Sequence, residues 1–438
     1  MTLYRAVPHN VYEGEGGAKL CYDPHSLQLV ELADAHIALL GKFSERARVP
    51  GAVAAELSYL GDLTEALGDL VTLGLLVERL PPQPMQAFAL RPSVTQFRIV
   101  LTERCNLRCA ECFVTKNADS LKHMEADTLE RVVNETIPYG EHVSLVYHFF
   151  GGEPTVRFDH MKRAVEIIDA AVAEGRMLQP LYTITTNATL ITDEIVEFFR
   201  VNKFRVGVSV DGPEAVNDKL RIYIDGRGSH ADVKRNYHKM VAAGIDCHVL
   251  ITPNPQFLDT LPQIFSAVLD EFPMKTITVN TPFNYDDLGW SVDGTRYASL
   301  LLKLIRIAKG RGIEVDSAAS PPLAALAHHI TREGPCALEC DHVMASIGVN
   351  GTMSYCAEKW HPAITVPMDA KTRLATPIRR ATDCLTCPAL AICGGPCPAH
   401  QQIANKPGEL DGNKCDFMVG LLEGVAKNLD LFETPAEV

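Results

Sequence analysis

Three cysteines stand within one short stretch, Thr102 to Val114, which reads T-E-R-C-N-L-R-C-A-E-C-F-V. Cys105, Cys109 and Cys112 are spaced C-x3-C-x2-C, and the mostly apolar run Gln96 to Leu101 that enters them reads as a buried strand. A loop that gathers three thiolates can hold a metal centre, and that duty limits what the flanking chain can fold into. Structural zinc usually takes four protein ligands, and catalytic zinc takes other ligand types. Thiolates are the usual ligands of iron–sulfur clusters. Three cysteines with no obvious fourth suit a [4Fe-4S] cluster with one iron open to a substrate or cofactor. The competing reading is a zinc loop or a set of scattered core cysteines.

From Gln96 to about Ile313, strand-like runs alternate with helical ones, which implies a parallel sheet. The expected strands are 94–101, 143–150, 181–186, 205–210, 247–252 and 276–280. The expected helices between them are 125–136, 160–175, 193–201, 231–243 and 260–271. Active sites of such barrels collect at the C-terminal strand ends, the side on which the cysteine loop falls. The first 80 residues read separately, as two strands, three helices and a strand, before the linker Leu80-Pro81-Pro82-Gln83-Pro84.

The cysteine spacing behind a first barrel strand resembles the radical SAM superfamily. That resemblance implies a partial (β/α)6 barrel and an open cluster that chelates S-adenosylmethionine. Reductive cleavage of that cofactor gives a 5′-deoxyadenosyl radical, which abstracts hydrogen from carbon. Phe150-Gly151-Gly152-Glu153-Pro154 matches the family's G-G-E motif, which implies contact of Gly151, Gly152 and Glu153 with the methionyl ammonium. Thr185-Thr186-Asn187 resembles the T-N-G motif, with Ala188 in place of the glycine, and Asn187 meets cofactor or substrate or caps the next helix. Ser209-Val210-Asp211-Gly212-Pro213 and the downstream Arg221 match positions that imply Ser209 on the ribose and Arg221 on the carboxylate. One departure is Glu111, where the family usually has an aromatic residue beside the adenine; here the aromatic is Phe113. The adenine-lining residue of the fifth strand is left open between Leu250 and Ile251.

Eight further cysteines follow: Cys336, Cys340, Cys356, Cys384, Cys387, Cys393, Cys397 and Cys415. Their G-x4-C, C-x2-C-x5-C-x3-C and final-cysteine pattern resembles the SPASM extension. The resemblance implies two more [4Fe-4S] clusters, making three in all. Cys336, Cys340, Cys356 and Cys397 would hold the nearer, and Cys384, Cys387, Cys393 and Cys415 the farther. Two zinc ions in the same cysteines is the alternative, and iron content separates the two. Of the thirteen cysteines only Cys21 and Cys247 remain, both in strand-like runs and read as core.

The expected architecture is therefore α/β: a winged-helix-like α+β domain at 1–85, a radical SAM partial barrel at 95–315, and a cysteine-rich iron–sulfur domain at 330–438 with a closing helix from Phe417 to Phe432. The N-terminal pattern resembles a leader-peptide recognition element, which takes a peptide as an added strand at a sheet edge; a plain capping domain is the alternative. Thirteen cysteines without a secretory signal point to metal sites in a reducing cytosol. A formal net charge of −13 argues against a nucleic-acid or membrane-surface binder, and no apolar run is long enough for a membrane helix. The partners implied are a peptide or protein substrate and a low-potential donor such as flavodoxin or ferredoxin. The leading function is an oxidative cross-link in a ribosomally made peptide. Formylglycine formation in a sulfatase, a small-molecule dehydrogenase and a non-catalytic iron–sulfur carrier are the alternatives. Ala357, directly after Cys356, counts against formylglycine formation, because those enzymes usually carry aspartate there. No general acid or base stands out among Tyr147, His148, Glu111, Asp211 and Glu358.

Overall fold

The computed structural model describes residues 2–81, 87–88, 94–110, 112, 114, 121–281, 292–328, 344–354, 378–379, 382–395 and 412–431. Its centre is one sheet of nine strands. Six parallel strands, Gln96–Thr102, Val146–Gly151, Leu181–Thr186, Arg205–Ser209, Asp246–Ile251 and Thr276–Val279, lie side by side in chain order. These are the expected barrel strands, with 181–186 matched at both ends and the others shifted by no more than three residues at either end. A seventh parallel strand, Glu314–Ser317, extends the far edge. On the near edge Met344–Ile347 runs parallel to the first strand and pairs antiparallel with Met353–Ser354.

The two faces of this sheet differ because the strands alternate. Phe97, Ile99, Tyr147, Phe149, Tyr182, Ile184, Val206, Val208 and Val249 point to one face and are buried there. Helices 126–136, 158–173, 193–201, 230–242 and 261–271 cover it with Leu129, Met161, Ile168, Phe199, Tyr237 and Phe265 in one continuous core. Thr192 starts one of these helices by accepting from the Ile195 N–H at 3.3 Å, which satisfies one of the orphan donors of the first turn. Register places Arg98, His148 and Thr183 level with one another on the opposite, inner face. Gly207 and His248 pair on that same face. Strands buried on both sides read as continuous apolar runs; here Arg98, His148, Thr183, Thr185, Ser209 and His248 stand among apolar Val100, Phe150 and Leu250 on the face turned away from the helices.

The N-terminal residues form strands Arg5–Ala6, Asn10–Glu13, Lys19–Asp23, Gln28–Glu31 and Leu76–Val77 and helices Asp34–Glu45, Pro50–Glu56 and Thr64–Thr72. Pro50 opens its helix, where the missing N–H costs nothing. The first two strands were not apparent from the sequence. Asn10–Glu13, Lys19–Asp23 and Gln28–Glu31 make a three-stranded antiparallel sheet with the middle strand at its centre. One face, with Cys21 and Leu32, packs on the three helices around Leu39, Phe43 and Leu70. The other, with Tyr22, joins the main core. The closing helix is Gly412–Ala426, five residues earlier in its start than the periodicity suggests. It lies along helix Gly294–Lys309: Phe417 tilts against Tyr297 at 5.5 Å, and Arg306 Nη2 donates to Asn428 at 2.8 Å. Cys21 and Cys247 are buried in strands, as expected of core residues. Among the described residues no helix is long and apolar enough to cross a membrane.

Candidate active site

The cysteine loop leaves the first strand at Thr102 and returns beside it at Lys122. The return is fixed by Glu103 N–H donating to Lys122 O at 2.8 Å and by Met124 N–H donating to Leu101 O at 2.9 Å. Thr102 Oγ1 lies 2.8 Å from His123 Nδ1. The loop is then held from two sides. On one side Gly152 N–H donates to Thr102 O at 2.8 Å and Glu153 N–H to Arg104 O at 2.9 Å. A Cβ on Gly151 or Gly152 would collide with the carbonyls of Thr102 or Arg104, so both glycines are required by this approach of backbone to backbone. On the other side the chain after the fourth strand runs antiparallel to the loop. Arg108 N–H donates to Ile222 O at 2.7 Å and Ala110 N–H to Leu220 O at 3.0 Å, and Leu107 bridges Tyr223. The sequence reading contained no sign of this second clamp.

Glu153 is fully buried, and its carboxylate is taken up by protein donors. Thr155 Oγ1 and Thr186 Oγ1 donate to Oε1 at 2.6 and 2.7 Å, and Asn187 N–H donates to Oε2 at 2.7 Å. Burial pushes its pKa up, and the bonds from Thr155, Asn187 and Thr186 oppose that rise. Glu153 thus ties the second strand end to the third. Asn187, positioned by that bond, donates from Nδ2 to Asn106 Oδ1 at 3.0 Å and lies 3.6 Å from Cys105 Sγ. Ala188, in the motif's glycine position, adopts a left-handed φ of 55°.

Asp211, buried, is a second knot. Its Oδ1 accepts from the Thr252 N–H at 3.0 Å and its Oδ2 from Arg221 Nε at 2.6 Å. It joins the ends of the fourth and fifth strands to the segment that clamps the cysteine loop. Asp211 is thereby a positioning residue for Arg221 rather than an open acid or base. Ser209 pairs in register with Leu250 on the inner face, while Ile251 lies in the helix-covered core. Of the two candidates for the adenine side, only Leu250 faces the cavity.

Deeper along the inner face stand Arg98, His148 and His248. Arg98 lies over the Phe150 ring at 4.6 Å, and His148 Nδ1 and Nε2 lie 2.7 and 3.2 Å from Thr183 Oγ1 and Thr185 Oγ1. Gly207 leaves the room that the His248 ring uses. Desolvation holds the His148 pKa well below its usual value, and Arg98 and His248 lower it further. Desolvation lowers His248 as well, Asp246 opposing. Both rings are neutral hydrogen-bonding groups near neutral pH. Arg98 and His248 were missed in the sequence, although polar residues at alternate positions of buried parallel strands are the signal that exposes them. Tyr147 belongs elsewhere: it is buried on the helix side, its hydroxyl 2.7 Å from Thr136 Oγ1. Glu111 and Glu358 lie outside the described residues, as do Phe113 and Ala357.

The thiol chemistry fits a cationic centre at the loop. Burial pushes the Cys105 thiol up to about 12, Glu153 adds to it, the Leu107 N–H opposes it, and Cys109 and Cys112 raise it further. A thiol so reluctant to ionise becomes a ligand when a cation replaces its proton. Among the described residues no three His, Cys, Asp or Glu side chains are gathered as a single metal ion requires; a four-iron cluster spreads its thiolates over different irons. Cys384, Cys387 and Cys393 lie on one compact segment, in which Cys387 N–H donates to Cys384 O at 3.2 Å. Cys415 sits in the first turn of the closing helix. Cys336, Cys340, Cys356 and Cys397 lie outside the described residues.

Residues 99–267 match the sequence profile of the radical SAM superfamily, so the chain carries a radical SAM domain. A serine-type anaerobic sulfatase-maturating enzyme of Bacteroides thetaiotaomicron is 32% identical over 156 residues, which is 34% of this chain and 37% of that protein. The match thus covers little more than a third of that relative's length. Among solved structures, anSMEcpe with bound AdoMet superposes with a TM-score of 0.62 at 16% identity, over 77% of this chain and 98% of that one. Streptococcus suis SuiB bound to S-adenosylmethionine gives 0.53 at 16% identity, over 93% and 97%. These likenesses establish the radical SAM α/β fold.

Proposed function

We propose that the chain whose radical SAM domain is described above is an enzyme that oxidises a peptide substrate, installing a thioether or carbon–carbon cross-link in a ribosomally made peptide. The observation that carries this reading is the three-thiol loop, clamped at the C-terminal end of the first strand beside a sheet face that bears Arg98, His148, Ser209 and His248. S-adenosylmethionine with an open cluster, and closed clusters on the eight C-terminal cysteines, would supply a hydrogen-abstracting radical and a one-electron acceptor. The chain's own residues bind and orient. Arg221, steered by Asp211, offers a guanidinium to a carboxylate. Ser209 and Leu250 offer a hydroxyl and an apolar surface at the cavity rim. Arg98, His148 and His248 line the floor, where neutral imidazoles can accept or donate to a substrate amide. A cross-link of this kind removes one hydrogen atom to the deoxyadenosyl carbon, one proton to solvent and one electron to the acceptor. The product is lighter by one pair of hydrogens.

The N-terminal sheet supports a peptide substrate, since Gln28–Glu31 is an edge strand able to accept another. The sulfatase-maturating relative favours a second reading, oxidation of a cysteine or serine to formylglycine. The test is anaerobic reconstitution, chemical reduction and incubation with any short peptide found encoded beside this gene, with and without its N-terminal segment. Cross-linking is supported by deoxyadenosine formation and fragment spectra that tie two residues of the leader-bearing peptide together. An aldehyde captured by a hydrazide reagent would move the assignment to formylglycine. Unchanged peptide mass, or an added methyl group, would end the oxidative reading. The cytosol, with its reducing poise and flavodoxin-type donors, is the compartment that this chemistry needs.

A further inference from the structure

Of the five acid–base candidates in the sequence, the three that the structure describes are committed elsewhere. Tyr147 lies in the helix-side core. His148 is a poor proton acceptor, its pKa held low by desolvation, and both its ring nitrogens lie against threonine hydroxyls. Asp211 is tied to Arg221 and to the Thr252 N–H. Register brings in another carboxylate. Ser209 pairs with Leu250, Leu250 with Thr278, and Thr278 with Asp316, so these four stand level across four neighbouring strands. Residues paired in register share a face, and successive residues of a strand alternate. Ile251, Ile277, Val279 and Val315 belong to the helix-side core, so Leu250, Thr278 and Asp316 face the other way, with Ser209. Three strand spacings, about 14 Å along the sheet, separate Asp316 from Ser209. That interval has room for a substrate residue between the cofactor side and the carboxylate. Asp246, on the same face, is held 2.7 Å from Arg205. Asp316 is exposed and, among the described residues, joins no ion pair. Glu314 shares its strand and face but stands level with Thr276, one step farther from the cysteine loop. Desolvation of the Asp316 carboxylate raises its pKa, the Ser317 N–H opposing.

We propose that Asp316 is the general base of the oxidation, taking the proton of the substrate group that bonds to the radical carbon. This rests on the peptide-oxidising reading. For a thioether the step balances as follows. One hydrogen atom leaves the substrate carbon for the 5′ carbon of the deoxyadenosyl radical. The thiol proton passes to the Asp316 carboxylate, and sulfur bonds to the carbon. One electron leaves for the iron–sulfur acceptor proposed on the C-terminal cysteines. A free thiol ionises near pH 8.5, so a carboxylate whose pKa is raised toward that value meets a smaller uphill transfer. Formylglycine formation would load the same residue, because it too removes a proton from a thiol or hydroxyl.

The experiment compares wild type, Asp316→Asn, Asp316→Glu and Glu314→Gln as full-length reconstituted proteins. The probe is a peptide that the wild type oxidises, deuterated at the attacked carbon. Melting temperature, deuterium in deoxyadenosine and the rate of product formation against pH are read on each. The raised pKa means that ionisation of Asp316 disfavours the folded chain, so removing the charge costs no stability above the carboxylate range. Asp316→Asn should therefore melt no lower than wild type at neutral pH and still pass deuterium into deoxyadenosine. Its product should fall roughly a hundredfold or more, and the acidic limb of the pH profile should vanish. Asp316→Glu should recover part of the rate, and Glu314→Gln should match wild type. An unchanged product rate and pH profile in Asp316→Asn overturns the proposal. So does a lower melting temperature joined to equal loss of label transfer and product, which is the mark of a structural role. If wild type passes deuterium but yields neither cross-link nor aldehyde, the oxidative reading itself fails, a result distinct from an indifferent Asp316→Asn.

Discussion

Cys105, Cys109 and Cys112 share one loop, held on one side by N–H groups of Gly152 and Glu153 and on the other by carbonyls of Leu220 and Ile222. Cys384, Cys387 and Cys393 share a segment too, while Cys415 stands in the first turn of the closing helix. The first site is local in sequence and rigid through its backbone. The later cysteines are divided between a short segment and a helix. A backbone-clamped loop can keep one coordination position open without collapsing, which suits binding and cleavage of a cofactor.

The strongest way to break this contrast is to remove the thiols of each site in turn. Replacing Cys105, Cys109 and Cys112 together by Ala should abolish S-adenosylmethionine cleavage and remove about four of roughly twelve irons. Replacing Cys384 or Cys415 should leave cleavage intact and stop peptide turnover. Deoxyadenosine measured by chromatography beside iron analysis distinguishes the two, and cleavage surviving in the triple variant would defeat the assignment of the loop.

The clamp is the next target. Asp211→Asn keeps the shape but removes the charge that faces Arg221, and breaking a buried ion pair costs roughly 3 kcal/mol. The variant should melt lower and bind S-adenosylmethionine more weakly, as calorimetry would show. Unchanged affinity would mean that Arg221 needs no steering. Glu153→Gln is expected to act similarly through the third strand end, because an amide nitrogen would face donors where the carboxylate now accepts three or more bonds.

Smaller effects come from the cavity floor. His148 is held below its ordinary pKa of about 6.5. The unfolded chain therefore binds a proton as pH falls below about 6.5 while the folded chain does not. The stability linked to His148 is complete above that pH and declines as pH falls toward the depressed folded value. Melting temperatures between about pH 7.5 and 5.5 should fall less steeply in His148→Gln. A residual slope from His248 is expected, since its pKa is lowered as well. Identical slopes in variant and wild type would remove His148 as the source. The smallest effect is that of Ala188→Gly. Relief of a left-handed alanine, about 1 kcal/mol, is nearly offset by loss of a buried methyl of about 0.8 kcal/mol. Its melting temperature should change by no more than a few degrees, and a large drop would show that the methyl packs beyond its area.

Sequence alone determined whatever depends on neighbours along the chain. Strand and helix order follow from hydrophobic period, and the six barrel strands were placed within a few residues. The cysteine spacing, G-G-E and S-x-D-G-P are local patterns, so they too were legible. Only the tertiary structure decided which groups meet. The Glu153 carboxylate accepts from Thr155, Thr186 and Asn187, ties that the G-G-E pattern does not reveal. Asp211, one of five unranked acid–base candidates in the sequence, accepts from Arg221 Nε and the Thr252 N–H. Tyr147 and His148 are adjacent in sequence and fall on opposite faces because strand side chains alternate, one in the core and one in the cavity. The close approach of Gly14 to the carbonyl of Ala426 joins positions about four hundred residues apart, as sequence numbering itself shows. No periodicity encodes such a meeting: it arises when the N-terminal sheet and the closing helix bury their apolar faces against the same core.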